Sequence, residues 1–188
     1  KEKLSENFSC NPKSFYAISK FASEKYLMGL CEKYKIRWNI VRFFNVYGPG
    51  QDLSRKDQGI VSIFLDLIRN NNKIVVNGSL KRFRDFIYID DVVSINIFFM
   101  NNSFHDIYNV GTGKAETFNE IANNIFKYYQ DEESNFNYID MPDYLVPKYQ
   151  NFTEANISKL KAVGYNYDFF SLQEGIRNYL NDLNTSSA

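Results

Sequence analysis

The order of apolar and polar residues predicts helices that alternate with short strands. A first helix is predicted from Ser14, whose hydroxyl suits an N-cap, to about Tyr34. Its apolar positions are Phe15, Ile18, Ala22, Tyr26, Met28 and Leu30. Residues 36–43 then alternate and are rich in strand formers, which predicts a strand. The Gly- and Pro-containing residues 45–50 are predicted to close that strand with a loop.

The alternation continues to the end of the chain. Helices are predicted at residues 60–68, 92–100, 117–129, 155–163 and 171–183, and strands at residues 73–76, 86–89, 107–110 and 135–139. Capping boxes that begin at Thr117 and Ser171 open two of these helices, and Asp90 suits the N-cap of a third. Strands and helices in this order indicate an α/β protein with a mainly parallel sheet.

The balance of charge argues against a nucleic-acid or membrane surface, since 22 basic residues accompany 22 acidic ones in the 188-residue chain. No apolar run approaches the roughly 18 residues that span a bilayer. Cys10, Cys31 and His105 lack metal-ligand spacing, so no metal site is expected, and the cysteines indicate reduced thiols in a cytoplasmic protein. The chain begins at Lys1 without an initiator Met, which suggests that an upstream segment is missing.

The first candidate chemistry lies at the start of the first helix. Tyr16 and Lys20 are four residues apart, so they share one helix face. An ammonium beside a phenol favours the phenolate, and a phenolate can act as a base. The same spacing also arises by chance, and the alternative is a tyrosine packed on the core beside a solvated lysine.

Three further motifs follow. Asn45 lies at the carboxyl end of a predicted strand, where ligands of open α/β sheets bind, and its amide can bond a hydroxyl or a pyrophosphate. Arg84 offers a planar donor fork suited to phosphate, with Asp85 placed to orient it. The alternatives are an ordinary turn and a surface ion pair. The G-T-G at residues 111–113 is predicted to be a structural strand-to-helix turn, and no dinucleotide-binding glycine fingerprint occurs in the sequence.

Taken together, the motifs resemble the extended short-chain dehydrogenase/reductases that act on nucleotide sugars, the NAD-dependent epimerase/dehydratase family. The resemblance rests on Tyr16-x-x-x-Lys20, R-F-F-N-V-Y-G-P-G at 42–50, R-D-F-I-Y-I-D-D-V at 84–92 and Y-N-V-G-T-G at 108–113. It implies the C-terminal portion of a Rossmann-type doubly wound parallel sheet plus a small α/β substrate-binding domain, without the N-terminal dinucleotide-binding half. Residues 1–48 would end the Rossmann-type domain, and residues 49–188 would mainly bind substrate, with the strand and helix near 84–101 returning to the sheet.

The resemblance also implies an activity, a redox-neutral epimerisation of a nucleotide-diphosphate sugar with NAD or NADP. Tyr16 would be the base, and Lys20 would support its phenolate and hold the cofactor ribose. Both residues and Val46 would touch the cofactor. Substrate contacts are implied for Asn45, Ser79, Arg84 and Tyr149.

Within the family, two branches are suggested. Residues 139–165 are similar to the ADP-glycero-manno-heptose 6-epimerases, whereas residues 50–64 look more like the UDP-hexose 4-epimerases. Lys56 is the nearest match to a second catalytic lysine of the heptose enzymes, although its flanking residues differ. Both branches imply a place in surface polysaccharide synthesis, lipopolysaccharide included, and a homodimer or higher homo-oligomer, with the helix at 14–34 as the dimer surface.

Two alternatives remain. One is a nucleotide-sugar 4,6-dehydratase or decarboxylase of the same family. The other is an inactive fragment that acts only as a substrate-binding and dimerisation module. The chain by itself is expected to be inactive, because the hydride acceptor has no site in it.

Overall fold

A computed structural model describes residues 2–52, 58–70, 74–77, 82–129, 136–139 and 150–185. The helices are α1 (Phe15–Tyr34), α2 (Ile60–Arg69), α3 (Ile89–Met100), α4 (Phe118–Tyr129), α5 (Ser158–Ala162) and α6 (Leu172–Thr185). The strands are β1 (Asn39–Phe43), β2 (Asn45–Tyr47), β3 (Ile74–Asn77), β4 (Phe83–Tyr88), β5 (Asp106–Val110), β6 (Ala115–Thr117), β7 (Phe136–Ile139) and β8 (Phe152–Thr153). Each predicted helix and strand is present, although several boundaries differ, and β2, β6 and β8 are strands that the sequence did not predict.

Three helices begin where their capping residues predict. The Ala17 N–H donates to Ser14 Oγ at 3.1 Å, which confirms the start of α1. The two capping boxes are also formed, since the N–H groups of Glu120 and Glu174 donate to the hydroxyls three residues before them at 3.1 and 3.2 Å. Local hydrogen bonds therefore set the starts of α1, α4 and α6.

Other boundaries differ from the predicted ones. Asn45–Tyr47 is a strand and not a loop, because it pairs in parallel with residues 86–88 of β4. β4 itself begins three residues earlier than predicted, at Phe83. Asp90 is not an N-cap, since α3 starts at Ile89 and Asp90 lies in its first turn. Pairing with distant strands, which local sequence does not encode, accounts for the two strand differences.

The strands form mostly parallel pairs, which confirms the predicted α/β class. β1 pairs in parallel with β5, and β3 pairs in parallel with β7. β4 pairs in parallel with β2 and β8 and antiparallel with β6. The predicted division of the chain near residue 48 stays a prediction.

Strand β4 separates two hydrophobic clusters. Phe86 and Tyr88 pack into a cluster with α2, α4 and α6, whereas Ile87 between them packs into a cluster with α3, α5 and β5. Successive side chains of a strand point to opposite faces, so one strand serves both cores. Because β4 is packed on both faces, the backbone positions of Arg84 and Asp85 are held in place.

Helix α1 contributes little to either cluster. Glu24 is its one buried residue. Phe15, Tyr16 and Tyr26 are 93%, 72% and 70% exposed. Within the part of the chain that the structure describes, no helix, α1 included, is long and apolar enough to cross a membrane. The apolar positions of α1 are therefore largely at the surface.

Candidate active site

A cavity of about 950 Å³ lies between residues 10–14, one face of α1 and strand β1. Tyr16 and Lys20 both line it from α1, and Phe43 lines it from the end of β1. Gln150 contributes from the segment before β8. The cavity therefore brings the two residues of the Tyr-x-x-x-Lys motif to the end of a parallel strand, where ligands of α/β sheets bind.

Tyr16 and Lys20 are side by side on α1. The Lys20 Nζ lies 5.5 Å from the centroid of the Tyr16 ring, within the range of a cation–π contact. Lys20 forms no ion pair with a carboxylate among residues 2–52 or the other described segments, so its ammonium is available to the phenol. The predicted arrangement is present, and its catalytic role stays a prediction.

A partly buried ion pair that the sequence did not reveal joins α1 to β1. Arg42 donates from Nε and Nη2 to the two carboxylate oxygens of Glu24 at 2.9 and 2.7 Å. These hydrogen bonds lower the pKa of Glu24 and raise the pKa of Arg42, although burial opposes both shifts. A charged residue at position 42, inside a strand of mostly apolar residues, was the available signal for a buried partner.

Asn45 and Arg84, the predicted substrate contacts, and Val46, the predicted cofactor contact, are not among the residues that line this cavity. The Asn45 amide donates to the Asp85 carbonyl at 2.8 Å, and Val46 packs against the cluster of α3, α5 and β5. Arg84 donates to the carbonyl of Phe83 at 2.9 Å and also to the carbonyl of Gln150. Gln150 lines the cavity, so Arg84 contacts a residue of the cavity wall without lining the cavity itself.

Three other predicted residues cannot be placed relative to the cavity. Ser79, Tyr149 and Lys56 lie outside the described residues. Their predicted contacts with substrate, and the predicted second lysine, stay predictions.

The side chain of Asp85 is fully buried and binds a turn formed by residues 111–113. Its Oδ1 accepts from the Thr112 N–H at 2.7 Å and hydroxyl at 2.8 Å. Its Oδ2 accepts from the N–H groups of Gly113 at 2.9 Å and Ala155 at 3.0 Å. Four donors occupy the acceptor positions of the carboxylate, so the prediction that Asp85 orients Arg84 is wrong. Burial raises the pKa of Asp85, and these donors oppose the shift.

The G-T-G at residues 111–113 is confirmed as a structural turn. A Cβ on Gly111 would lie 2.7 Å from Asp85 Oδ2, and Gly113 has a φ of +73°. Both glycines are therefore required by backbone geometry around one carboxylate. The turn leads into β6 before α4 begins, and not directly into a helix as predicted.

Asp91, in the same motif as Arg84, makes stability depend on pH. Its side chain is buried and accepts from the Phe170 N–H at 3.1 Å. Burial, partly offset by this bond and reinforced by Asp90, raises its pKa to about 6. The folded chain therefore binds more protons than the unfolded chain between about pH 4, the ordinary pKa range of an Asp, and about pH 6. The free energy of unfolding accordingly falls as pH rises from about 4 to about 6. The full loss is reached above the folded pKa of Asp91.

We expect Asp91→Asn to be more stable than the original chain at pH 7 by about 1–2 kcal/mol, a value discounted for partial hydration of the carboxylate. At pH 4 the two proteins should be nearly equal. Urea unfolding followed by circular dichroism at both pH values measures the difference, with Asp168→Asn, which neutralises an exposed carboxylate that does not contribute to the pKa of Asp91, as the control. A variant that is less stable than the original at pH 7 contradicts this account.

The part of the chain that the structure describes holds no group of three or more His, Cys, Asp or Glu side chains that could hold a metal ion. A parallel α/β fold with a tyrosine–lysine pair on a helix beside the sheet defines a Rossmann-like protein of the short-chain dehydrogenase/reductase type. The chain belongs to the NAD dependent epimerase/dehydratase family, whose model matches residues 1–111.

Named relatives agree with this assignment. The chain is 37% identical over 179 residues to ADP-L-glycero-D-manno-heptose-6-epimerase of Brachyspira hyodysenteriae, covering 93% of this chain and 56% of that protein. It is 27% identical to UDP-N-acetylglucosamine 4-epimerase of Methanobrevibacter ruminantium, solved with UDP-N-acetylmuramic acid, at a TM-score of 0.87 over 97% of this chain and 57% of that one. It is 28% identical to UDP-glucose 4-epimerase of Thermus thermophilus, solved with NAD, at a TM-score of 0.84 over 97% of this chain and 58% of that one. The chain thus spans little more than half the length of these relatives.

Proposed function

We propose that this chain belongs to a nucleotide-sugar epimerase in which Tyr16 exchanges a proton with a sugar hydroxyl. The observation that carries the proposal is the placement of Tyr16 and Lys20 together in the cavity at the end of β1. Membership of the NAD dependent epimerase/dehydratase family supports it. The whole enzyme, in this proposal, is the chain together with a portion that supplies a dinucleotide site.

The residues present fit one end of such a cofactor. A phenol and an ammonium at an open cavity offer the hydrogen bonds that ribose hydroxyls need, and Tyr16 and Lys20 would hold the ribose there. NAD, when bound, supplies the hydride acceptor and donor that epimerisation requires. The sequence contains no glycine fingerprint, so its 188 residues supply no pyrophosphate site of that kind.

The side chains of this chain have three tasks in the reaction. Tyr16 takes the proton of the sugar hydroxyl as that carbon is oxidised to a carbonyl, and it returns the proton after the sugar has turned its other face. Lys20 favours the phenolate by its charge. Arg84 donates to the carbonyl of Gln150, a residue that lines the cavity. In this proposal Arg84 binds the diphosphate and so places the sugar beside Tyr16.

The substrate we propose is an ADP-heptose, with UDP-hexoses as the second candidate. The 37% identity to the Brachyspira heptose epimerase supports the first, and the fold shared with UDP-sugar 4-epimerases at 27% and 28% identity supports the second. An ADP-heptose epimerase would serve the synthesis of a surface polysaccharide such as lipopolysaccharide.

The whole enzyme is also proposed to be a homodimer. Phe15, Ile18 and Tyr26 are exposed on the outer side of α1, and an apolar helix face of this kind is typical of a subunit contact. Sedimentation equilibrium of the whole enzyme tests this directly, and a monomer at micromolar concentration would refute it.

The product of the reaction tests the proposed function. The whole enzyme is incubated with ADP-heptose, UDP-glucose and UDP-glucuronic acid, and products are identified by mass and by proton NMR. An epimer of unchanged mass is expected. A product lighter by one water would establish a dehydratase, loss of CO₂ from the glucuronic acid would establish a decarboxylase, and no turnover of any of the three sugars would contradict an epimerase for these substrates.

A further inference from the structure

The pair formed by Glu24 and Arg42 differs from the other ion pairs of the described residues in its burial and geometry. The side chains of Glu24 and Arg42 are 9% and 23% exposed, and both carboxylate oxygens accept from one guanidinium. In the pairs Lys3–Glu154, Lys25–Glu24, Lys114–Glu116 and Lys159–Asp106 the cation is a lysine. A two-bond contact fixes the relative orientation of its partners, which a single lysine contact does not.

Glu24 lies on the same row of α1 as the two candidate site residues. Tyr16, Lys20 and Glu24 follow one another at intervals of four, and residues at this interval form a continuous ridge along a helix. A rotation or slide of α1 at Glu24 therefore moves Tyr16 and Lys20 with it.

Apolar packing constrains α1 only weakly. Its buried residue is Glu24, and large apolar side chains at Phe15 and Tyr26 are mostly exposed. Interdigitated core side chains normally set the position of a helix. In α1, where such packing is sparse, the ion pair contributes more to the position of the helix than it would in a well-packed helix.

The other partner of the pair is held firmly in the sheet. Arg42 lies opposite Asn109 of β5 and also donates from Nη1 to the Glu6 carbonyl at 2.9 Å. Glu6 accepts from the Asn109 N–H at 2.8 Å, and the Asn109 amide donates to the Leu4 carbonyl at 2.8 Å. The guanidinium is thus attached to a network that includes β1, β5 and the first residues of the chain.

We infer that Glu24 and Arg42 are positioning residues that set the place of Tyr16 and Lys20 relative to the end of β1, an inference that rests on the proposed function. Three residues after Arg42, the chain reaches Asn45 and then Val46, the predicted substrate and cofactor contacts. The ion pair therefore joins the helix with the proposed base to the strand that leads to those contacts. A displacement of about 1 Å is enough to lower a catalytic rate by about 100-fold.

The inference is tested first without any reaction. Residual dipolar couplings of the labelled chain report the orientation of α1 relative to β1 and β5. In the original chain one alignment should describe all three elements. In Glu24→Gln we expect α1 to remain helical, but its couplings should fit an orientation relative to β1 and β5 that differs from the one in the original chain. Glu32→Gln, the same change at an exposed position of α1, should leave that orientation unchanged. Arg42→Lys, which keeps the charge but loses the fork, should behave like Glu24→Gln and serves if that variant does not fold.

The second readout is kinetic and uses the whole enzyme. Glu24→Gln should lower kcat by about 10- to 100-fold with a change in KM of less than about threefold, because the substrate contacts on β2 and β4 are unchanged. An unmoved α1, or a moved α1 with full kcat, overturns the inference. Full turnover in Tyr16→Phe would instead refute the proposed function, so the two failures are distinguishable.

Discussion

Replacing Tyr16 by Phe in the whole enzyme should reduce turnover by about 100- to 10,000-fold, the range that a positioned acid–base group contributes. The change removes one hydroxyl from a side chain that is 72% exposed, so the free energy of unfolding should hardly change. Binding of the nucleotide sugar should also be nearly unchanged, because the diphosphate contact is assigned to Arg84. Initial rates and calorimetric titration of the substrate measure the two effects separately.

The same helix supplies matched controls. Tyr34 is 60% exposed and does not line the cavity, so Tyr34→Phe should leave the rate unchanged. Lys33 lies 5.4 Å from the Tyr34 ring, as Lys20 lies 5.5 Å from Tyr16. Lys20→Met should therefore lower the rate and Lys33→Met should not. A Tyr16→Phe enzyme that keeps its turnover would remove the basis of the proposed function.

The largest effect on stability is expected at Asp85. Asp85→Ala would leave the buried N–H groups of Thr112, Gly113 and Ala155 without their acceptor. Each buried polar group left without a hydrogen-bond partner costs about 1–3 kcal/mol, and with three such groups we expect a total loss of about 3–5 kcal/mol. Urea unfolding followed by Trp38 fluorescence and by circular dichroism measures it.

Two further variants separate this role from the charge itself. Asp85→Asn keeps the shape but turns an N–H₂ group toward N–H donors, so it should also be destabilised. Asp90→Asn, an exposed carboxylate in the same motif, should unfold close to the original midpoint. If Asp85→Ala unfolds at the same urea concentration as Asp90→Asn, the turn at 111–113 does not depend on the carboxylate.

The parts of the fold that the sequence predicted are those that local chemistry determines. Ser14, Thr117 and Ser171 cap helices through bonds to backbone groups three residues away, and such short-range patterns are visible in the sequence. Strand β2 was not predicted, because Asn45–Tyr47 becomes a strand through pairing with residues about 40 positions later. The start of α3 at Ile89 was missed because residues 86–89 form one apolar run, so the sequence does not show that the strand ends at Tyr88.

The candidate site divides in the same way. Tyr16 and Lys20 are one helical turn apart, so their juxtaposition follows from local geometry. The contact between Glu24 and Arg42 spans 18 positions, and Asp85 reaches Thr112 across 27 and Ala155 across 70. A single sequence offers only a weak signal for such contacts, namely a charged residue inside an otherwise apolar strand.

The proposed enzyme oxidises and re-reduces one sugar carbon, with Tyr16 as the proton carrier. The most direct measurement uses nucleotide sugar deuterated at that carbon, incubated with the whole enzyme in ordinary water and analysed by NMR. We expect the epimer to keep its deuterium at the inverted carbon, and the Tyr16→Phe enzyme to form almost none of it. An epimer that has exchanged its deuterium for solvent hydrogen, or one formed equally fast by Tyr16→Phe, would contradict the claim.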